Sequence, residues 1–274
     1  MLPQKCGSFL FLGNMILTSA KHFQQPRKII SLVPSITELL YYLELEKEVT
    51  GITKFCVHPK EWMATKTRIG GTKNINLALI KKLQPDLIIA NKEENVKEQI
   101  EELSSYANVW VTDVKTLDEA LIMISDIGEL THKTMQACTL IGKIKTNFTR
   151  LLPYGGTNDN KIKSAYIIWQ HPYMSVGGDT FINDMMQHCG LQNIFHNKTR
   201  YPKITLDDLA KEKCKLILLS SEPYPFKQIH IEELQKALPG KKIILVDGEM
   251  FSWYGSRLLK APEYFTTLLK SLHP

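Results

Sequence analysis

Residues 28–43 read KIISLVPSITELLYYL. Of the first six, Ile29, Ile30, Leu32 and Val33 are apolar and three of these are β-branched, Pro34-Ser35 interrupts the run, and Ile36, Leu39, Leu40 and Leu43 then recur at helical spacing, which predicts strand, turn and helix in succession. The same grammar extends outward. Val49-Thr50-Gly51-Ile52-Thr53, Asp86-Leu87-Ile88-Ile89-Ala90 and Asn108-Val109-Trp110-Val111-Thr112 read as further strands with helical patterns between them. Strands alternating with helices specify an α/β fold with mostly parallel sheet. Upstream, Phe9–Leu12 and Met15–Thr18 flank Gly13-Asn14 and read as a hairpin.

Beyond Thr116 the pattern becomes purely helical, starting with the capping spacing Thr116-Leu-Asp-Glu119 and followed by a long helical stretch from His132 to Leu152. At about 1.5 Å per residue such a helix reaches roughly 30 Å, the width of a small domain. The polar run after Pro153 ends it. Strand and helix patterns then resume, with strands at 165–169, 216–219 and 243–246, helices at 180–189 and 231–238, and a last helix over 257–272. We therefore expect four parts: a hairpin extension over 1–27, an α/β lobe over 28–131, a bridging helix over 132–152 and a second α/β lobe over 153–274. An internal echo favours one topology for both lobes. Leu77-x-x-Ile80-x-Lys82 before Leu87-Ile88-Ile89 matches Leu206-x-x-Leu209-x-Lys211 before Leu216-Ile217-Leu218, 129 residues on. Asn76 and Thr205, each at an N-cap position, keep that offset, as do Glu93 and Glu222.

Composition narrows the function classes. With 43% hydrophobic and 23% charged residues the chain is ordinary globular protein rather than disordered or fibrous. The formal charge of +6 is spread along the chain, so no nucleic-acid surface is indicated. No apolar run approaches the roughly 18 residues of a membrane span, and Phe9–Leu17 lacks the cleavage context of a signal peptide, so the sequence by itself reads as cytoplasmic and not membrane-embedded. Five cysteines without a CxxC pair argue against a disulfide framework.

In an open α/β sheet, ligands collect at the carboxyl ends of the strands. In the first half those loops carry Phe55, Cys56 and His58, then Gly71, Thr72 and Lys73, then Asn91, Glu93 and Glu94. In the second half they carry Trp169, His171 and Tyr173, then Glu222, Tyr224 and Phe226, then Asp247, Glu249, Phe251, Trp253, Tyr254 and Arg257. Seven aromatics on connections that are normally polar suggest a wall for a large flat ligand, with packing of loop on loop as the plainer explanation. Arg257 or Lys73 would meet the ligand's anionic edge. Gly70-Gly71-Thr72-Lys73 lacks phosphate-loop spacing, and neither a GxSxG elbow nor an HExxH helix occurs. Cys56, His58 and His171 suit a metal ion, although such histidines commonly cap loops, and His188, His196 and His230 read as surface. The loop glutamates are solvated charges or an acid/base set with Asp247 and His171. No catalytic set stands out, and the expectation is a binding protein that needs no cofactor, with direct metal-ion binding or a cytosolic sensor or enzyme on the same scaffold as alternatives.

The string Arg27-Lys-Ile-Ile-Ser-Leu-Val-Pro-Ser-Ile-Thr-Glu38, Gly70-Gly71-Thr72 leading to Leu83-Gln-Pro-Asp-Leu-Ile-Ile89, and Asn193-Ile-Phe195 after a Cys-Gly pair resemble the vitamin B12-binding periplasmic proteins, in the helical-backbone metal receptor group of ABC-transporter substrate-binding proteins. The resemblance covers nearly all of the chain after residue 27. It implies two α/β lobes joined by one long helix, a ligand (cobalamin, haem or a ferric siderophore) in the cleft between them, a periplasmic location, a monomer, and docking on an ABC permease. By position it implies ligand contacts from Phe55, Trp169, Phe251, Trp253, Tyr254 and Arg257, while two positions that can carry tryptophan in the family are Thr72 and Asn91 here. One docking carboxylate per lobe is implied; the second-lobe position is Asp207 and the first-lobe position is Ala78, where Asn76 or Glu93 would have to substitute.

Overall fold

The structure, a computed structural model, describes residues 9–12, 15–17, 24–151, 161–211 and 214–272. The expected hairpin turn at Gly13-Asn14 and the polar run at 153–160 lie outside them. The chain divides into two compact units. The first holds residues up to Val114, Asp118–Lys143 and Tyr254–Arg257; the second holds Lys115–Leu117, Ile144–Trp253 and the chain from Leu258 on.

In the first unit the elements run β1 (Phe9–Leu12), β2 (Met15–Leu17), β3 (Ile29–Ser31), α1 (Pro34–Tyr42), β4 (Val49–Ile52), α2 (Lys60–Thr65), β5 (Thr67–Arg68), α3 (Leu77–Leu83), β6 (Leu87–Asn91), α4 (Lys97–Ser104), β7 (Asn108–Thr112) and α5 (Leu117–Leu130), whose first residue counts with the second unit. Their sheet has the order β2-β1-β7-β6-β3-β4-β5. β3 to β7 pair parallel, and β1 lies antiparallel on β7 with Leu10 opposite Trp110. β3 and β6 are buried along their whole length, which explains why they read as continuous apolar runs rather than alternating ones. Pro34 opens α1, where its missing N–H costs nothing. At the entry to β3, the backbone N–H groups of Arg27 and Lys28 both donate to Asp86 Oδ2, at 2.7 and 2.9 Å.

The long helix α6 spans Thr134–Leu151. It starts two residues later than the apolar pattern because His132 adopts a left-handed φ of 58°, which ends the preceding helical run. α5 approaches α6 closely at Gly128, where a Cβ would lie 2.5 Å from that of Ala137.

The second unit continues with β8 (Ile162–Trp169), β9 (Met174–Ser175), α7 (Phe181–His188), β10 (Leu191–Asn193), α8 (Leu206–Lys211), β11 (Leu216–Ser220), α9 (Gln228–Ala237), β12 (Lys242–Val246), α10 (Glu249–Ser252) and α11 (Ala261–Leu272). The strand order is β10-β8-β11-β12, all parallel, with β9 antiparallel on β8. Ile167, Ile217, Leu219, Leu234 and Ile243 anchor its core. The single last helix expected over 257–272 is in fact two pieces, a 3-10 turn at Ser256–Leu259 and then α11. Pro262, in the first turn of α11, has no N–H to continue an earlier helix, so the helix restarts there.

Both parallel sheets share one connectivity. β7-β6-β3-β4 in the first corresponds to β12-β11-β8-β10 in the second, and β6 and β11 keep the 129-residue offset from end to end. The preceding helices are capped alike: Asn76 Oδ1 accepts from Leu79 N at 3.0 Å, and Thr205 Oγ1 accepts from Asp208 N at 3.1 Å. In each unit the strand-to-helix loops leave the carboxyl ends of these strands.

Candidate functional site

At the carboxyl edge of the first unit the β4–α2 loop presents Phe55, 51% exposed, with the Lys54 ammonium 5.1 Å from its ring centre. Gly71 lies beneath that ring, since a Cβ there would come within 3.2 Å of Phe55 Cε2. The Gly-Gly segment is a tight turn closed by Gly71 N donating to Asn74 O at 2.9 Å. Gly70 has φ of 103°, and any Cβ would strike Asn74 O at 2.5 Å, so the pair serves the backbone rather than a phosphate. Thr72 is half-buried, and Lys73 donates to the Glu93 carbonyl at 2.6 Å, joining that turn to the loop after β6.

Asn91 is not available to a ligand. It is buried, its Nδ2 donates to Thr112 O and Oγ1, and its Oδ1 accepts from the backbone N–H groups of Glu93 and Glu94. An amide that donates to β7 and accepts from its own loop is satisfied where it stands, and the residue shapes the loop. The metal-ion alternative loses its thiolate. Cys56 is fully buried, its sulfur accepts from Thr37 Oγ1 at 3.0 Å, and burial raises its pKa, which holds it as a thiol. Among the described residues no three His, Cys, Asp or Glu side chains stand where they could share a metal ion.

Two candidates from the far end of the sequence belong to this first unit. Arg257 is nearly buried and forms a two-point ion pair with Glu38 of α1, Nε to Oε2 at 3.1 Å and Nη2 to Oε1 at 2.8 Å. Tyr254 donates to Glu94 Oε1 at 3.1 Å; burial first and the Glu94 charge second raise its pKa well above the usual phenol range. Gly255 between them packs on the first turn of α1, where a Cβ would lie 3.1 Å from Ser35 O. The expectation that Arg257 meets an anionic ligand edge is thus corrected, because its charge is spent on Glu38.

The aromatics of the second unit separate into groups. Phe251 is a core residue, 0% exposed, with Tyr166, Phe265 and Tyr264 at ring-centre distances of 5.2, 4.8 and 6.3 Å. The segment that carries it is the one-turn helix α10, started by Asp247 Oδ1 accepting from Glu249 N at 3.1 Å, and that turn rotates Phe251 inward. Trp253 is also largely buried. Its indole N–H donates to Glu222 Oε1 at 2.9 Å, and Ser252 Oγ donates to the same oxygen at 2.5 Å. Burial raises the Glu222 pKa against those two hydrogen bonds, with the Glu249 charge adding to the rise.

What remains at the carboxyl edges of β8 and β11 is an exposed platform. Trp169 is 40% exposed and meets the edge of Tyr224, ring centres 5.6 Å apart; Tyr224 in turn contacts Phe226 at 4.7 Å and His230 at 5.5 Å. His171, exposed, lies 6.4 Å from half-buried Tyr173. Gln170, between Trp169 and His171 in sequence, is buried and links both tyrosines, its Nε2 donating to Tyr173 Oη at 3.2 Å and its Oε1 accepting from Tyr224 at 3.0 Å. Sequence reasoning missed Gln170 and read His230 as surface. The available signal for His230 was its place three residues after Lys227 at the start of α9, where a side chain can reach back to the N-cap N–H. Asp207 is exposed in the first turn of α8, and Ala78, at the equivalent position of α3, is exposed too.

Residues 29–239 match the family described as periplasmic binding protein. A vitamin B12-binding protein of Pectobacterium carotovorum subsp. carotovorum is 24% identical over 266 residues, covering 96% of this chain and 94% of that protein. Among solved structures, the periplasmic vitamin B12-binding protein BtuF of Vibrio cholerae aligns with a TM-score of 0.73 at 20% identity, over 90% of this chain and 97% of its own. The periplasmic heme-binding protein RhuT of Roseiflexus sp. RS-1 aligns with a TM-score of 0.77 at 16% identity, over 90% and 98%. At such identities the structures establish the fold alone. Among the described residues no helix is long and apolar enough to cross a membrane.

Proposed function

This chain belongs to the periplasmic binding protein family, the substrate-binding proteins of ABC transporters, and from that premise we propose that its cargo is a tetrapyrrole-type metal complex, cobalamin or haem. The observation that carries the reading is the Trp169 platform, a large ring left exposed on a strand end and braced edge-on by Tyr224. Burying one face of a flat macrocycle on such a ring is favourable and needs no induced order, because Tyr224 is already held by Gln170. Phe55 in the first unit is a second exposed ring on a carboxyl-edge loop, and Thr72 and Lys73 follow directly on Gly71, which packs beneath that ring, to supply polar contacts. Glu222 supports Trp253 rather than reaching the cargo. Relatives whose names specify vitamin B12 or heme support the ligand class.

The chain itself performs no chemistry on the cargo in this reading; it captures, and a permease takes delivery. Asp207 is the docking carboxylate, acting as a single chain's contact from the second unit. The first unit offers Ala78 at the equivalent position, so docking would be lopsided, with about one ion pair fewer to steer it.

Absorbance titration with cobalamin and with haem tests the reading. Trp169→Ala should raise Kd about tenfold or more, the scale of losing one aromatic stacking partner, while Phe251→Leu should change stability more than Kd. Absence of a spectral shift with either compound for the unmodified chain would sink the proposal.

A further inference from the structure

Resting on the tetrapyrrole reading, we propose that His230 sets the direction of a hydrogen-bond chain that ends by leaving Tyr173 with a proton to donate, so that Tyr173 selects cargo bearing a hydrogen-bond acceptor, above all a carboxylate, on its rim. The chain begins at a group whose direction is not negotiable. The backbone N–H of Lys227 donates to His230 Nδ1 at 2.7 Å, so Nδ1 is the bare nitrogen of the neutral ring and Nε2 carries its proton. Nε2 lies 3.4 Å from Tyr224 Oη, which therefore accepts. Tyr224 then spends its own proton on Gln170 Oε1 at 3.0 Å.

That order fixes the amide. With its oxygen turned to Tyr224, Gln170 presents Nε2 to Tyr173 Oη at 3.2 Å. The Tyr173 oxygen accepts, and among the described residues nothing takes its proton. The opposite amide orientation would aim two donors, Gln170 Nε2 and His230 Nε2, at Tyr224 and commit the Tyr173 proton inward. In that orientation Gln170 would keep both contacts, but the Tyr224 proton would have no acceptor among the described residues, a lost hydrogen bond at a half-buried hydroxyl. One backbone N–H at the start of α9 thus determines the polarity of a hydroxyl on the β8–β9 connection. His230 is a positioning residue, and Tyr173 is the residue that would touch cargo.

The test has a ligand-free arm and a ligand arm, both on the full chain. Long-range nitrogen–proton NMR at neutral pH, with the His230 signal assigned by its loss in His230→Gln, should show the Nε2–H tautomer. The Nδ1–H tautomer would overturn the inference outright. For binding, haem and haem dimethyl ester are compared. Tyr173→Phe should weaken haem roughly ten- to a hundredfold, the usual scale for one hydrogen bond to a charged group, and weaken the ester much less. His230→Leu should reproduce the haem loss, His230→Gln, which still offers Tyr224 a donor, should restore most of it, and the double variant His230→Leu/Tyr173→Phe should lose no more than either single one. Additive losses, or equal losses for haem and its ester, would overturn the role of Tyr173. If the unmodified chain binds neither tetrapyrrole, the cargo reading fails on its own, while the tautomer still decides whether His230 orders the chain.

Discussion

Arg257 and Glu222 show how a side chain's fate is decided by its partner rather than its type. Breaking the Arg257–Glu38 pair leaves a carboxylate in a nearly closed site, so Arg257→Ala should cost about 3 kcal/mol or more in chemical denaturation, and Arg257→Lys should recover little because an ammonium cannot reproduce the two-point contact. Glu222 gives a pH signature. Its folded pKa lies above the unfolded value, so between the ordinary carboxylate range and that raised value the native state holds more protons and stability falls as pH rises. Glu222→Gln removes that slope. Urea midpoints of the variant should therefore gain on the unmodified chain as pH goes from 4 to 8, and parallel curves would refute the assignment. None of this was legible from residue types. Phe251 and Trp169 are both aromatics on strand-end connections, and only the arrival of α11, with Phe265 against Phe251, makes one of them core. Gln170 gave no signal because a lone amide beside a tryptophan is unremarkable until its two tyrosines are in place.

Elements were far more readable. β3 and β6 are buried along their whole length and apolar up to their last residues, Ser31 and Asn91, because both faces are covered, and the capped starts of α3 and α8 announce themselves by Asn76 and Thr205. Asn76→Ala and Thr205→Ala should each lower stability by about 1 kcal/mol, the usual cost of a lost N-cap. Gly70→Ala should cost more than either, since it meets both a left-handed backbone and Asn74 O; thermal denaturation of the three variants would rank them. Where the reading of elements missed, a local backbone event was responsible: the positive φ of His132 delayed α6, and Pro262 split the last helix. The β1–β2 hairpin gives β7 a partner on the side away from β6. Without it, β7 would present a row of unpaired backbone groups, and a chain starting at residue 24 should aggregate more readily than the full chain in light-scattering assays.

At the scale of the whole molecule, the sequence echo at 129 residues foreshadowed a duplicated sheet connectivity, and that duplication was visible because strand burial and helix capping constrain both copies in the same way. The chemistry diverged where those constraints stop. Asn91 and Ser220 end equivalent strands and both hold the loop that follows, the first through backbone N–H groups of Glu93 and Glu94, the second by donating to Glu222 O at 2.6 Å. Two residues further on, Glu93 receives Lys73 at its carbonyl, while Glu222 receives Ser252 and Trp253 at its carboxylate.

A molecule made of two versions of one blueprint carries its own control experiments. Wherever a position and its twin have drifted apart, as at Ala78 and Asp207, transplanting one twin's side chain onto the other asks whether the difference was selected or merely tolerated, in a setting whose backbone has already accepted both answers.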